Sequence, residues 1–127
     1  MKKMPKHYHL DWTVVRDNPA RFENLVACHL QKWVHYEQDT AGRDLDLRYF
    51  RDPQRREVDF VVLEGCQPLL LVECKWDDAP VDPMLRSLRQ RYPECEAWQI
   101  AARGRKDYVA EDRIRVAPAI VFLPRLV

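Results

Sequence analysis

Three charged residues stand where a sheet core is expected. In REVDFVVLEGCQPLLLVECKW, residues 56–76, two apolar runs flank a turn at Gly65, and Asp59, Glu73 and Lys75 are set among them. Charged side chains are costly in a sheet core unless they are paired or bind an ion. If residues 65–67 form the loop, Glu64 faces Pro68 and counting outward sets Asp59 opposite Glu73, with Cβ atoms roughly 5 Å apart. Alternation then gives Lys75 the same face as Glu73, with Val61, Leu63, Leu69 and Leu71 further along it. Cys74 faces the other way and reads as a packed thiol, not a nucleophile.

Like charges opposite each other destabilise a sheet, so a positive charge belongs between them. Spacing leaves two candidates level. Lys75 can close a purely structural ion cluster. Alternatively, a divalent ion can sit there: Mg²⁺ takes one or two carboxylates, keeps several waters and leaves room for phosphate oxygens. The carbonyl of Cys74 could add a ligand. Lys75 would then orient or help deprotonate an attacking water and steady the developing negative charge. Glu23 lies three, four and seven residues before Val26, Ala27 and Leu30, on the apolar side of a helix. It can reach the sheet as a further carboxylate, or serve only as an acid favoured by the helix macrodipole.

The elements that must position these groups follow from pattern. KHYHLDWTVV, residues 6–15, reads as a short strand or arm, whose His7 and His9 are too few for a metal site. Asn18 and Pro19 open a helix carrying Phe22, Leu25, Val26, Leu30, Trp33 and Val34 on its apolar side, ending near Gln38 before Gly42. LDLRYF (45–50) alternates as a strand, residues 52–54 turn, and strands follow around 58–63 and 69–75. Asp82 caps a second helix with Pro83 in its first turn and Pro93 as its stop. EAWQIAA (96–102) is a strand, RGRKDY a polar loop, and RIRVAPAIVFL predicts one or two closing strands. Helix, three strands, helix, strand is a mixed α/β domain.

Composition narrows the chemistry. A chain of 127 residues is one domain's worth, long enough for a core without staples. Its longest apolar run is far short of a membrane span and MKKMPKHYHL lacks a signal peptide's apolar core, so a cytoplasmic protein with no membrane partner is expected. The four cysteines form no CxxC pair, which suggests reduced thiols. Ser87 is the only serine and has no nucleophile-elbow context, which argues against serine chemistry. Net charge is only +1, yet arginines cluster at 48–56, 86–91 and 103–105. Of these Arg55, Arg56, Arg86 and Arg89 are candidate phosphate contacts, or simply a solvated face.

Taken in order, RFENLVACHL, REVDFVV and LLLVECK, with the D-x13-E-x-K spacing, resemble the PD-(D/E)XK nuclease superfamily. They are similar above all to the uncharacterised nuclease-like domain at the C-terminus of many bacterial and archaeal AAA-type ATPases. The resemblance covers about residues 8–123 and implies a restriction-endonuclease-like core: a central mixed β-sheet flanked by helices in αβββαβ order. It implies Asp59 and Glu73 as Mg²⁺ or Mn²⁺ ligands, Lys75 assisting water attack, Glu23 supporting the metals, and hydrolysis of a DNA phosphodiester bond. A homodimer and a separate ATPase partner are further implications. The sequence has no G-x-x-x-x-G-K-[ST], and its glycines are Gly42, Gly65 and Gly104 alone, so no P-loop ATPase domain lies within residues 1–127. The competing expectation is a non-catalytic module of the same fold for nucleic-acid binding or dimerisation, with Trp12, Trp33, Trp76 and Trp98 for packing or stacking.

Overall fold

A computed structural model describes residues 18–51 and 57–126. The arm at 6–15, the turn at 52–54, Arg55 and Arg56 lie outside the described residues. The element order is α1 (Asn18–Ala41), β1 (Leu45–Arg51), β2 (Glu57–Glu64), β3 (Gln67–Lys75), α2 (Pro83–Arg91), β4 (Glu96–Ala101), β5 (Tyr108–Val109), β6 (Arg115–Pro118) and α3 (Ala119–Phe122), then a 3₁₀ turn at Leu123–Leu126. The strands form one mixed sheet in the order β1-β2-β3-β4-β6-β5. β1, β2 and β3 are antiparallel neighbours, whereas β3, β4 and β6 run parallel. The expected α/β architecture is the one observed.

The sheet is covered on both faces. On one, Phe22, Val26, Ala27, Leu30 and Val34 of α1 pack on Phe60, Val62, Leu70, Val72, Trp98 and Ile100. On the other, Val81, Met84, Leu85 and Leu88, at and around α2, pack on Val61, Leu63, Leu71, Ala97 and Val116. Period-two alternation in the strands and three- and four-residue spacing in the helices produce these two layers.

Four local expectations are corrected. α1 runs to Ala41 rather than stopping near Gln38, because its polar last turn needs no burial. The Gly42 N–H still bonds back to Gln38 O at 3.1 Å. Gly42, with φ of 63°, then supplies the left-handed residue that ends the helix. The β2–β3 loop is residues 65–66, not 65–67: Glu64 pairs with Gln67, and Gly65 adopts φ of 62° at the first turn position. A bulge at Leu69 restores the missing residue, since Leu63 pairs with Pro68 but Val62 with Leu70. Leu69 therefore packs on the α1 face, not with Leu71. Finally, residues after Pro118 are helical. Ala119 and Phe122, one turn apart, are buried while Ile120 is 81 % exposed, a helical rather than alternating pattern. This segment lays Phe122 against Trp98, with ring centroids 5.0 Å apart.

Leu30 and Leu85 are both fully buried, on opposite faces. Leu30→Ala and Leu85→Ala are each expected to lower unfolding free energy by about 2–5 kcal/mol in urea titrations. In the double variant the losses should add within about 0.5 kcal/mol; strong coupling would contradict two layers separated by the sheet.

Candidate functional site

The carboxyl ends of the parallel strands form one edge of the sheet, and ligands in open α/β sheets bind outside that edge. Lys75 ends β3 there, and Asp59, near the start of antiparallel β2, reaches the same edge. Between the pairs Arg48–Val61 and Phe50–Val58, β2 supplies Asp59 and Phe60 opposite the single residue Tyr49. A bulge therefore falls on Asp59 itself, the kind of irregularity that re-aims a side chain.

Beyond Phe60–Val72 the β2–β3 ladder is taken over by side chains. The Asp59 N–H donates to Glu73 Oε1 at 3.1 Å, and the Cys74 N–H donates to Asp59 Oδ2 at 2.9 Å. Each carboxylate thus satisfies a backbone donor of the other's strand, and the two acids are brought together as expected. Glu73 is only 7 % exposed. Burial first, and the Asp59 charge next, push its carboxyl up to about 8, against the opposing pull of the Asp59 N–H and of Lys75.

Lys75 Nζ lies 3.4 Å from Glu73 Oε2 and 3.1 Å from Asp82 Oδ2. Burial opposes the ammonium, but the Asp82 hydrogen bond and the charges of Glu73 and Asp82 outweigh it and raise Lys75 above the usual lysine value. Asp82, the shorter contact, is its main anchor. Asp82 is also the expected N-cap of α2, its Oδ1 accepting the Met84 N–H at 2.9 Å. Its own N–H donates to Gln99 Oε1 at 2.8 Å. Gln99, 2 % exposed and paired with Glu73 in the β3–β4 register, donates through Nε2 to Ala79 O at 3.1 Å and Pro80 O at 3.0 Å. One buried amide thereby clamps the loop that delivers Asp82 to Lys75.

The remaining expected positions fare differently. Cys74 lies on the α1 face, as alternation required, and none of the four cysteines is in a disulfide. Glu23 is half-buried on α1. Among the described residues no group of three or more His, Cys, Asp or Glu converges closely enough to hold a metal ion, so Glu23 is not drawn into a three-carboxylate cluster with Asp59 and Glu73. Arg86 lies about 6 Å along α2 from Asp82, exposed and paired with Asp112 at 3.0 Å. Arg89 is corrected as a phosphate contact: it is 8 % exposed and donates through Nη1 to Pro93 O at 2.7 Å, closing the end of α2. The contact of Asp82 with Lys75 and the role of Gln99 were not foreseen. Gln99 had the same signal as Asp59 and Glu73, a polar residue inside an apolar strand.

Residues 20–121 match the family model described as Domain of unknown function (DUF4143). The chain belongs to the DUF4143 family. The matched region of this DUF4143 chain contains Glu23, Asp59, Glu73, Lys75, Asp82 and Gln99. No curated protein and no solved structure matches it significantly. Among the described residues, no helix is long and apolar enough to cross a membrane.

Glu73 gives the folded DUF4143 domain a proton that the unfolded chain releases between pH 4.5 and about 8. Folding stability from this group is therefore complete below the lower value and is lost as pH rises through the upper one. The stability of Glu73→Gln relative to wild type should grow over that interval and level off above it, read by urea titrations at successive pH values. A constant difference would mean Glu73 titrates normally. Separately, Gln99→Leu leaves the Asp82 N–H and two loop carbonyls without their partner, and should cost roughly 1–3 kcal/mol.

Proposed function

We propose that the Asp59–Glu73–Lys75 corner is a metal-dependent phosphodiesterase site of the PD-(D/E)XK kind, acting on DNA. One observation supports this most: two carboxylates are fixed side by side at the carboxyl edge of parallel strands, with an ammonium 3.4 Å from Glu73. The αβββαβ order suits a restriction-endonuclease-like core.

Asp59 and Glu73 would hold a Mg²⁺ or Mn²⁺ ion. The fit rests on the donor set: two carboxylates held side by side by the Asp59 and Cys74 N–H groups, with Asp82 a third acid around the one ammonium of Lys75. Such an ion, when bound, supplies Lewis acidity toward a phosphate oxygen and a more acidic water. Lys75 stays an ammonium at neutral pH, so its role is to orient the water and stabilise charge on the phosphoryl oxygens rather than to act as a base. Asp82 and Gln99 position it. A cytoplasmic location, a homodimer and a separate ATPase partner belong to this reading as proposals.

The second reading is a non-catalytic module of the same fold for nucleic-acid binding or dimerisation. It is favoured by the internal partners that Glu73, Asp59 and Lys75 already have, which make a self-sufficient ion cluster. Cleavage separates the two. Linear duplex, single strand and four-way junction are offered with Mg²⁺ or Mn²⁺ to wild type, Asp59→Ala and Lys75→Ala, each checked for folding by circular dichroism. The catalytic reading expects metal-dependent cutting by wild type alone, with losses of at least about 100-fold in both variants. Well-folded wild type that neither cuts nor gains thermal stability from either cation would leave the scaffold reading standing.

A further inference from the structure

Pairing between β3 and β4 does not end at Lys75. The Lys75 carbonyl accepts the Ala102 N–H at 3.0 Å and the Trp76 carbonyl accepts the Arg103 N–H at 2.8 Å. The chain after β4 thus runs beside the site before turning through residues 103–107. That turn is held from inside. Asp78 accepts the Arg105 N–H at 3.1 Å through each oxygen, and the Lys106 N–H at 3.2 Å through Oδ1. Gly104 is required for the close approach, because a Cβ there would lie 2.5 Å from Asp78 Oδ1 and 2.6 Å from the Ala101 Cβ.

This hydrogen-bonded backbone presents exposed cations. Arg103, Arg105 and Lys106 are all exposed. Among the described residues the side chains of Arg105 and Lys106 make no ion pair within 4 Å, though the charge of the Asp78 carboxylate acts on both. Arg103 lies over the Trp76 ring, 5.7 Å from its centroid, and its pairing with Asp77 at 3.0 Å is solvent-exposed and correspondingly weak. Three cationic side chains in four residues, on a backbone already ordered by its own hydrogen bonds, would bind anionic groups with little further loss of loop entropy. Arginine suits bidentate phosphate contacts.

We propose that residues 103–106 are the DNA backbone contact of this protein, gripping phosphates next to the strand edge where Lys75 lies. The inference rests on the phosphodiesterase reading for its choice of DNA, and its chemistry is that of a polyanion. With a net charge of only +1, attraction to DNA has to be local. Among the described residues, this loop presents exposed cations next to the strand edge, two of them, Arg105 and Lys106, without an ion pair.

The test reads binding, not turnover. A short labelled duplex DNA is titrated by fluorescence anisotropy in EDTA, at several salt concentrations, with wild type, Arg105→Ala/Lys106→Ala and Lys75→Ala. Asp78 takes backbone N–H groups, so the double variant keeps the loop, and an unchanged thermal melt checks this. Its affinity should fall about tenfold or more at moderate salt, and its slope of log affinity against log salt by about two units, one per lost phosphate contact. Identical affinity and slope in the folded double variant overturn the proposal, as does wild type that fails to bind or prefers single-stranded RNA by more than tenfold. Wild type that cuts DNA while the double variant binds normally discards the loop and keeps the site. Binding that needs the loop in a protein that never cuts keeps the loop and discards catalysis.

Discussion

The carboxyl edge of the sheet depends on how the β2–β3 ladder ends. Buried backbone N–H groups need partners, and where the strands part, those of Asp59 and Cys74 take theirs from the Asp59 and Glu73 carboxylates. The same two bonds fix both acids against each other, which sets the electrostatics of the corner. Structure and chemistry here use one set of contacts. A substitution at either acid releases a backbone donor as well as a charge, so loss of activity at these positions is interpretable only beside a folding control.

Lys75 is the next link, and its placement is decided two elements away. An ammonium on a strand end is flexible unless something holds it. Asp82 does so because α2 begins where its N-cap faces β3, and because Gln99 bonds the approach loop at three points. The arrangement spans β3, α2 and β4, the strand–helix–strand unit whose carboxyl edge is the general site of ligand binding in sheets of this type. Remote packing is thereby coupled to the position of one ammonium.

Sequence reasoning reached the fold class, most elements and the opposition of Asp59 to Glu73, but part of that success came by compensation. A three-residue loop and a two-residue loop with a bulge at Leu69 give the same register at the acids, since the bulge returns the residue that the turn omits. The register was therefore right where it mattered, and the face of Leu69 was wrong. The bulge at Asp59 left no mark in sequence, because alternation around it is masked by Val58 and Phe60 both being apolar. The helical tail is not legible in sequence because VAPAIVFL, residues 116–123, is apolar throughout, and an apolar run has no period until burial selects one. Gln99 was legible by the criterion already used for the acids. Asp82 was read as a cap, which it is, but the reach of its second oxygen to Lys75 is tertiary.

Charge arithmetic at the corner bears on what can approach it. Asp59, Glu73 and Asp82 carry three potential negative charges against the one ammonium of Lys75. A phosphodiester would be repelled from such an edge taken alone. Protonation of Glu73 removes one charge and a divalent cation would remove two, so the raised carboxyl and the proposed cation are alternative answers to the same excess. Protonation leaves a net charge of −1 and the cation leaves none, so only the cation lets a polyanion approach without repulsion, and neither attracts it. Attraction has to come from beside the corner. Among the described residues, exposed cations adjoin it on the 103–106 loop, held in place by Asp78, whose hydrogen bonds go to the loop's backbone and leave the Arg105 and Lys106 side chains exposed. An acid that accepts backbone N–H groups orders that loop while its side-chain cations stay exposed.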